Sequence, residues 1–219
     1  SGVVSNINNL VQNHTFCGTM SEAWSTVSGT GSAVTASFLK SESAAKYGGS
    51  VIQLYSGNSS ATDGGIYQSV SALPKGQYTF AAYTRVVGAF YGQNIDRPGV
   101  FIRVTREDGT VLAESEHNYK YSSRYIRLIA PFELTAEQNV RIAVLANGYG
   151  TAYIDAPQLE NNAFVNAYNM LENGNFESAM RGWTTSGYMY NQVNGERFNM
   201  KSALCIPGSL SQNKYAYQT

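Results

Sequence analysis

The sequence predicts an all-β fold, a sandwich or barrel of antiparallel strands, on three observations. Short stretches alternate apolar and polar residues in period two, and turns rich in Gly, Pro and Asp interrupt them frequently. Nowhere does an apolar stripe hold helical spacing over several turns. Composition points the same way. Of 219 residues, 43% are hydrophobic, enough for a real core, but only 14% are charged, so Ser, Thr, Asn, Gln and Tyr must supply much of the surface. The 16 Tyr and 21 Gly suit half-buried pleated faces and turns.

The elements follow in order. The turn Leu73-Pro74-Lys75-Gly76 leads into Gln77–Arg85, which alternates strictly. Tyr78, Phe80 and Ala82 form its core face, leaving Thr79, Ala81, Tyr83 and Arg85 on the other. Val100–Thr105 and Thr110–Ala113 flank the hairpin signal Glu107-Asp108-Gly109. Ile102 and Val104 read as core, with Phe101 and Arg103 outside. Tyr125–Phe132 and Val140–Ala146 are two further strands, split by the polar segment 135–139. Gly148 and Gly150 break the chain before a last strand, Thr151–Glu160. Many short strands with frequent turns favour a sandwich or barrel.

The chain also resembles itself. Asn6–Phe16 aligns with Asn166–Phe176 at an offset of 160, sharing N-x-x-N-apolar-apolar-x-N-x-x-F, and each copy then reaches a Trp, Trp24 or Trp183. Ser50–Leu54 matches Ser202–Ile206, and Ile66–Ser69 matches Ala216–Thr219, in the same order. So long a period indicates a tandem array of whole domains rather than a solenoid. The expected division is a sandwich over 1–162, a linker over 163–168 and the opening of a second copy over 169–219, with three strands at most. Three strands cannot close a two-sheet core. That segment is therefore expected to dock on the first module or exchange strands with another chain. The repeated Trp24 and Phe16 read as core anchors.

Bulk charge excludes some partners. Fifteen basic residues balance fifteen acidic ones, so nothing steers the protein to nucleic acid. No apolar run approaches the ~20 residues of a membrane helix, so membrane insertion is not expected. The opening Ser1-Gly2-Val3-Val4 lacks an initiator Met and a signal-like run, and reads as a cut within a longer chain. Cys17 and Cys205 fall in different repeats and align with Glu177 and Gln53, which favours two free thiols.

Three motifs carry a family resemblance: Asn9-Leu10-Val11-x-Asn13-x-x-Phe16…Trp24, Leu73–Tyr83, and the closing Gly150–Glu160 with its Tyr153-Ile154-Asp155-x-x-Gln158-Leu159-Glu160. They resemble jelly-roll carbohydrate-binding modules of the kind appended to xylanases and related glycanases. The likeness extends to copies found in tandem in bacterial surface proteins, including those with YD (Rhs-like) repeats. The resemblance implies a jelly-roll sandwich, binding of a glycan or cell-wall polysaccharide without catalysis, and an extracellular or cell-surface location. It further implies a structural calcium, with Asp155 at the acidic position of the closing strand. The acidic position after Phe, kept as Glu177 in the second copy, is Cys17 here, a poor calcium ligand.

Sugars are held by aromatic rings against their C–H faces and by planar donors on their hydroxyls, needs that Tyr and Arg meet. Tyr83, Arg85 and Arg103 on outward strand faces, with Tyr91, Tyr119, Tyr121 and Tyr149 near strand ends, are the candidate ligand-binding set. Catalysis has little in its favour. His14 and His117 sit in no catalytic frame, and His14 takes the turn position of Gly174 in the second copy. Glu114 and Glu116, roughly 7 Å apart along a strand, read as a solvated face rather than a glycosidase pair. The competing reading is a structural spacer or adhesin repeat with no sugar ligand.

Overall fold

The computed structural model describes residues 9–16, 23–31, 33–47, 49–164, 183–186, 190–193, 202–205 and 215–217. The chain divides into two compact units, Asn9–Met170, and Leu171–Thr219 with Ser1–Asn8. The described residues contain strands and turns and no helix, so none is a helix long and apolar enough to cross a membrane.

Ten strands build the first unit. They are β1 (Ser25–Val27), β2 (Val34–Lys40), β3 (Ser50–Ser56), β4 (Gly64–Leu73) and β5 (Gly76–Tyr91), then β6 (Gly99–Arg106), β7 (Val111–Glu114), β8 (Ile126–Leu134), β9 (Gln138–Asn147) and β10 (Tyr149–Glu160). All pairings are antiparallel, in a front sheet ordered β2-β3-β10-β5-β8 and a back sheet ordered β1-β4-β9-β6-β7. From β3 onward the chain crosses between sheets at almost every connection, the hairpin β6–β7 excepted. The result is a jelly-roll sandwich.

Alternation explains the core. Ile52, Leu54, Tyr78, Phe80, Ala82, Leu128, Phe132 and Ile154 of the front sheet meet Ile66, Ile102, Val104, Ile142 and Val144 of the back. Phe16 and Trp24 join them, rings 5.9 Å apart, in keeping with their expected role as anchors. The buried Tyr78 hydroxyl donates to the Pro74 carbonyl at 2.8 Å, which satisfies its one polar atom.

The opening motif has a structural reason. Asn9 donates through Nδ2 to the Pro157 carbonyl (3.0 Å), while its Oδ1 accepts the N–H groups of Val11 (3.1 Å) and Leu159 (3.0 Å). It thereby fastens the start of the sandwich to β10 where the β10–β5 register shifts between Asp155 and Gln158. Asn9→Ala should strand the Leu159 N–H and the Pro157 carbonyl, costing about 1–3 kcal/mol. Urea denaturation at constant m-value checks this; an unchanged midpoint would refute it.

Three expectations need correction. Strands β1 and β2 were not anticipated, although Val34, Ala36 and Phe38 alternate in β2, and β3 and β4 were marked only as repeat matches, not as strands. Phe101 does point away from the core, as read, but it is fully buried. His117 lies flat on it at 4.1 Å and 3°, the Arg103 guanidinium sits 5.1 Å from its ring, and it packs with Ala143 and Leu145 in a small second cluster. Thr79 and Ala81 are likewise outward yet buried, and Thr79 Oγ1 donates to the carbonyl of Asn162 beyond β10.

In the second unit β11 (Thr184–Ser186) pairs with β14 (Tyr215–Tyr217), and β12 (Tyr190–Val193) with β13 (Ser202–Cys205). Among the described residues that makes four strands where the sequence suggested at most three. The pairing follows the first unit. Ser25 pairs with Tyr67, and Thr184, which follows Trp183 as Ser25 follows Trp24, pairs with Tyr217, the residue aligned with Tyr67. Lys40 pairs with Ser50, and Val193 with Ser202, the residue aligned with Ser50. Cys17 and the whole of the Asn166–Phe176 repeat lie outside the described residues.

Candidate functional site

The outer face of the front sheet gathers several aromatic and cationic side chains in rows set by strand register. Tyr153 of β10 lies between Gln53 of β3 and Arg85 of β5. One row further, Asp155 of β10 lies beside Tyr83 of β5, which lies beside Arg127 of β8. In the opposite direction Tyr55 of β3 pairs with Thr151, and Tyr149 with Tyr91.

At that end three rings stand in solvent. Tyr55, Tyr91 and Tyr149 are 41%, 57% and 36% exposed. Tyr149 meets Tyr91 at 5.1 Å and Tyr55 edge-on at 6.1 Å. A hydrogen bond with Tyr149, more than burial, raises the Tyr55 hydroxyl's pKa. Glycines on either side of Tyr149 allow this approach. Gly148 has φ +80°, and a Cβ there would lie 2.4 Å from the Tyr91 carbonyl oxygen; one at Gly150 would lie 2.6 Å from the Phe90 ring. The sequence marks both as chain breaks, whereas their structural use is close packing.

The middle of the face is covered. The β2–β3 connection, described over residues 41–47 and 49, folds across the sheet as a strap reaching Tyr125 beside β8. Arg85 Nη2 donates to the carbonyls of Ser43 (3.4 Å) and Ala44 (3.2 Å), and the Tyr125 hydroxyl donates to Ala44 at 2.6 Å. The Arg85 guanidinium also lies 5.1 Å from both the Tyr125 and Tyr153 rings. Burial raises the Tyr125 hydroxyl's pKa well above its ordinary value. Arg85 is therefore committed to holding the strap, which corrects its reading as an open ligand donor.

Asp155 fastens the same strap. Its Oδ2 accepts the N–H groups of Lys46 (2.7 Å) and Tyr47 (2.9 Å), and its Oδ1 accepts that of Ala156 (2.7 Å). Calcium takes six to eight oxygens around a cation, whereas here three N–H donors converge on the carboxylate. The arrangement suits a loop cap and does not fit a calcium ligand. Among the described residues no group of three or more His, Cys, Asp or Glu side chains could hold a metal ion.

Burial pushes the Asp155 carboxyl up to about 6, against the pull of its three N–H donors and Lys46. Because the folded value is raised above the ordinary 3.8, the folded state holds this proton more tightly than the unfolded chain. The associated stabilisation is full below pH 3.8 and is lost as pH rises through about 6. Carbon-13 NMR of the Asp155 carboxyl should give a midpoint near 6; an ordinary carboxylate midpoint would refute this.

Other candidates separate. Tyr83 is half-buried on the front face, 5.6 Å from Tyr47, with Lys46 Nζ 4.7 Å and Arg127 5.3 Å from its ring. Tyr119 and Tyr121 are exposed in a segment that runs beside the end of β5, where Phe90 N–H donates to Tyr119 and Ser122 N–H to Val86. Arg103 lies on the back sheet, on the opposite side of the sandwich, where Nε meets Glu114 at 2.7 Å and Nη1 meets Asp63 at 2.8 Å. Arg103 is thus removed from the front-face set. Burial works against ionisation of Glu114, but Arg103 holds its carboxyl below the ordinary range. Glu116 follows the end of β7, and Arg97 lies near both acids, 3.4 Å from Glu114 and 3.5 Å from Glu116. His117, pushed down by burial and by Arg97, is stacked on Phe101. Sequence reasoning missed Tyr55, whose place after Ile52 and Leu54 in β3 was the available signal.

No family model and no curated protein matches the chain. Solved structures do. An arabinose-bound GH51 α-L-arabinofuranosidase matches with a TM-score of 0.53 at 14% identity, over 70% of this chain and 26% of that one. The CBM22-1–CBM22-2 tandem domain of Xyn10C from Paenibacillus barcinonensis matches with a TM-score of 0.50 at 12% identity, over 93% of this chain and 61% of that one. The enzymatically active domain of tailspike protein 4 from bacteriophage CBA120 matches with a TM-score of 0.50 at 12% identity, over 69% of this chain and 21% of that one. The chain thus spans only part of each. The likeness is one of fold, a β-sandwich of the type used by carbohydrate-binding modules.

Proposed function

We propose that Asn9–Met170 is a non-catalytic glycan-binding module whose ligand lies on the rings of Tyr55, Tyr91 and Tyr149. The observation that supports this is the grouping of three solvent-exposed tyrosines, drawn from three strands, at one end of one sheet face. Large amphipathic rings offer their faces to sugar C–H groups and their hydroxyls to sugar hydroxyls. Tyr119 and Tyr121 supply further exposed rings from the segment alongside β5.

The module belongs, in this reading, to a longer bacterial surface or secreted protein in which sandwiches follow one another. The 160-residue offset and the matching strand pairs of the second unit support the tandem arrangement. Affinity electrophoresis against β-glucans, xylans, mannans and peptidoglycan tests the function. Retardation by at least one polymer is expected. Failure across the panel would leave the spacer reading in its place.

A further inference from the structure

Along β3 the outer face passes from cover to solvent within a few residues. Val51 alternates with the core residues Ile52 and Leu54, so its side chain faces outward, yet it is fully buried. It lies beside Asp155, one step past the Ile154–Ile52 pair, where the strap is bonded to β10. Gln53, two residues on, is half-buried, and Tyr55, two further, is exposed. The strap's edge thus falls beside Gln53, and an open floor runs from there to Tyr55.

Two rows of paired residues make that floor: Ser37, Gln53 and Tyr153, then Thr35, Tyr55 and Thr151. None of the six side chains is charged. Beyond Tyr153 in its row comes Arg85, whose guanidinium donates to the strap carbonyls. Gln53 differs from the front sheet's other shielded carboxamide. Gln158 accepts from Arg127 and donates to Glu160, whereas the Gln53 side chain makes no hydrogen bond among the described residues. A planar amide carries one acceptor and two donors. At Gln53 all of them are left to solvent, one row from the exposed ring of Tyr55.

From this placement we infer that Gln53 selects the sugar. Its carboxamide takes two adjacent free hydroxyls of a neutral hexose or pentose unit, in the polysaccharide held at Tyr55, Tyr91 and Tyr149. The inference rests on the glycan-binding reading above and adds the chemical class of the ligand. One hydroxyl donates to Oε1 while its neighbour accepts from Nε2, a pairing that a planar amide makes and a single hydroxyl does not. Gln53 and Tyr55 are two residues apart on one strand, about 7 Å at the usual rise. The unit stacked on Tyr55 and the next along the polymer both lie within that reach. The uncharged floor matches a neutral unit.

The test sets β-glucan, xylan and mannan with free hydroxyls against the same polymers partially O-acetylated, by affinity electrophoresis. The wild-type chain should bind the free form of at least one about tenfold more tightly, because a site built to bond hydroxyls rejects a unit lacking them. Gln53→Met keeps the side chain's length and removes both hydrogen-bonding atoms. It should weaken binding to the free form about tenfold and level the preference. Melting should not move, since the Gln53 side chain bonds nothing in the fold; a large drop would make the residue structural and overturn the assignment. Equal wild-type binding of free and acetylated forms would overturn the role of Gln53 alone. So would an undiminished preference in Gln53→Met, or binding of peptidoglycan and no other polymer in the wider panel. Binding of no polymer at all would overturn the glycan-binding reading itself.

Discussion

Replacing Tyr91 and Tyr149 together by alanine should abolish polysaccharide binding and leave the sandwich folded. Tyr91 is 57% and Tyr149 36% exposed, and both lie outside the core clusters, so truncation opens no cavity in the core. What disappears is the stacking surface. A ring at the centre of a binding site commonly contributes 2 kcal/mol or more, roughly thirtyfold in affinity. Removing two should take a weak polysaccharide binder below detection. The cost to stability is the lost Tyr91–Tyr149 and Tyr55–Tyr149 contacts, about 1–3 kcal/mol, or roughly 2–12 °C in melting temperature. Isothermal titration and a thermal melt on the same sample separate the two effects. Retained affinity with both rings gone would place the ligand elsewhere.

Phe80→Ala should be the most damaging single change to the fold. Phe80 is fully buried at the centre of β5, paired with Leu159 of β10 and Ala130 of β8, and its ring lies between the sheets. A Phe-to-Ala truncation in such a core costs about 3–5 kcal/mol, because the cavity closes only in part. At about 3 °C per kcal/mol for a domain of this size, melting should fall by roughly 10 °C. Domains are stable by only about 5–15 kcal/mol, so a large share of the margin goes. A loss below about 1 kcal/mol in urea would mean that the site collapses around the vacancy.

The sequence carried more of the fold than of the site, and particular residues show why. Period-two alternation placed Tyr78, Phe80, Ile102 and Val104 inward correctly, since a strand face depends on local pattern. The same parity could not tell the two sheets apart. Tyr83 and Arg103 both read as outward, yet they lie on opposite sides of the sandwich, a matter of chain crossing that alternation does not encode. Nor does it reveal what covers an outward residue. Phe101 is roofed by His117, sixteen residues further along, and Arg85 by a strap some forty residues back. Tyr91 and Tyr149 were legible as ring residues near strand ends, but their meeting with Tyr55 follows from the pairing of β10 with both β3 and β5.

The seam made by Asn9 has a mechanical consequence. Leu10 N–H donates to the Leu159 carbonyl at 2.8 Å, and Asn9 grips Pro157 and Leu159, so the polypeptide enters and leaves the first unit side by side. When such a chain is tugged from both directions, the load concentrates on these few bonds and the β-layers hang beside the line of force. A pull on both ends would then peel the seam before it sheared the sheets.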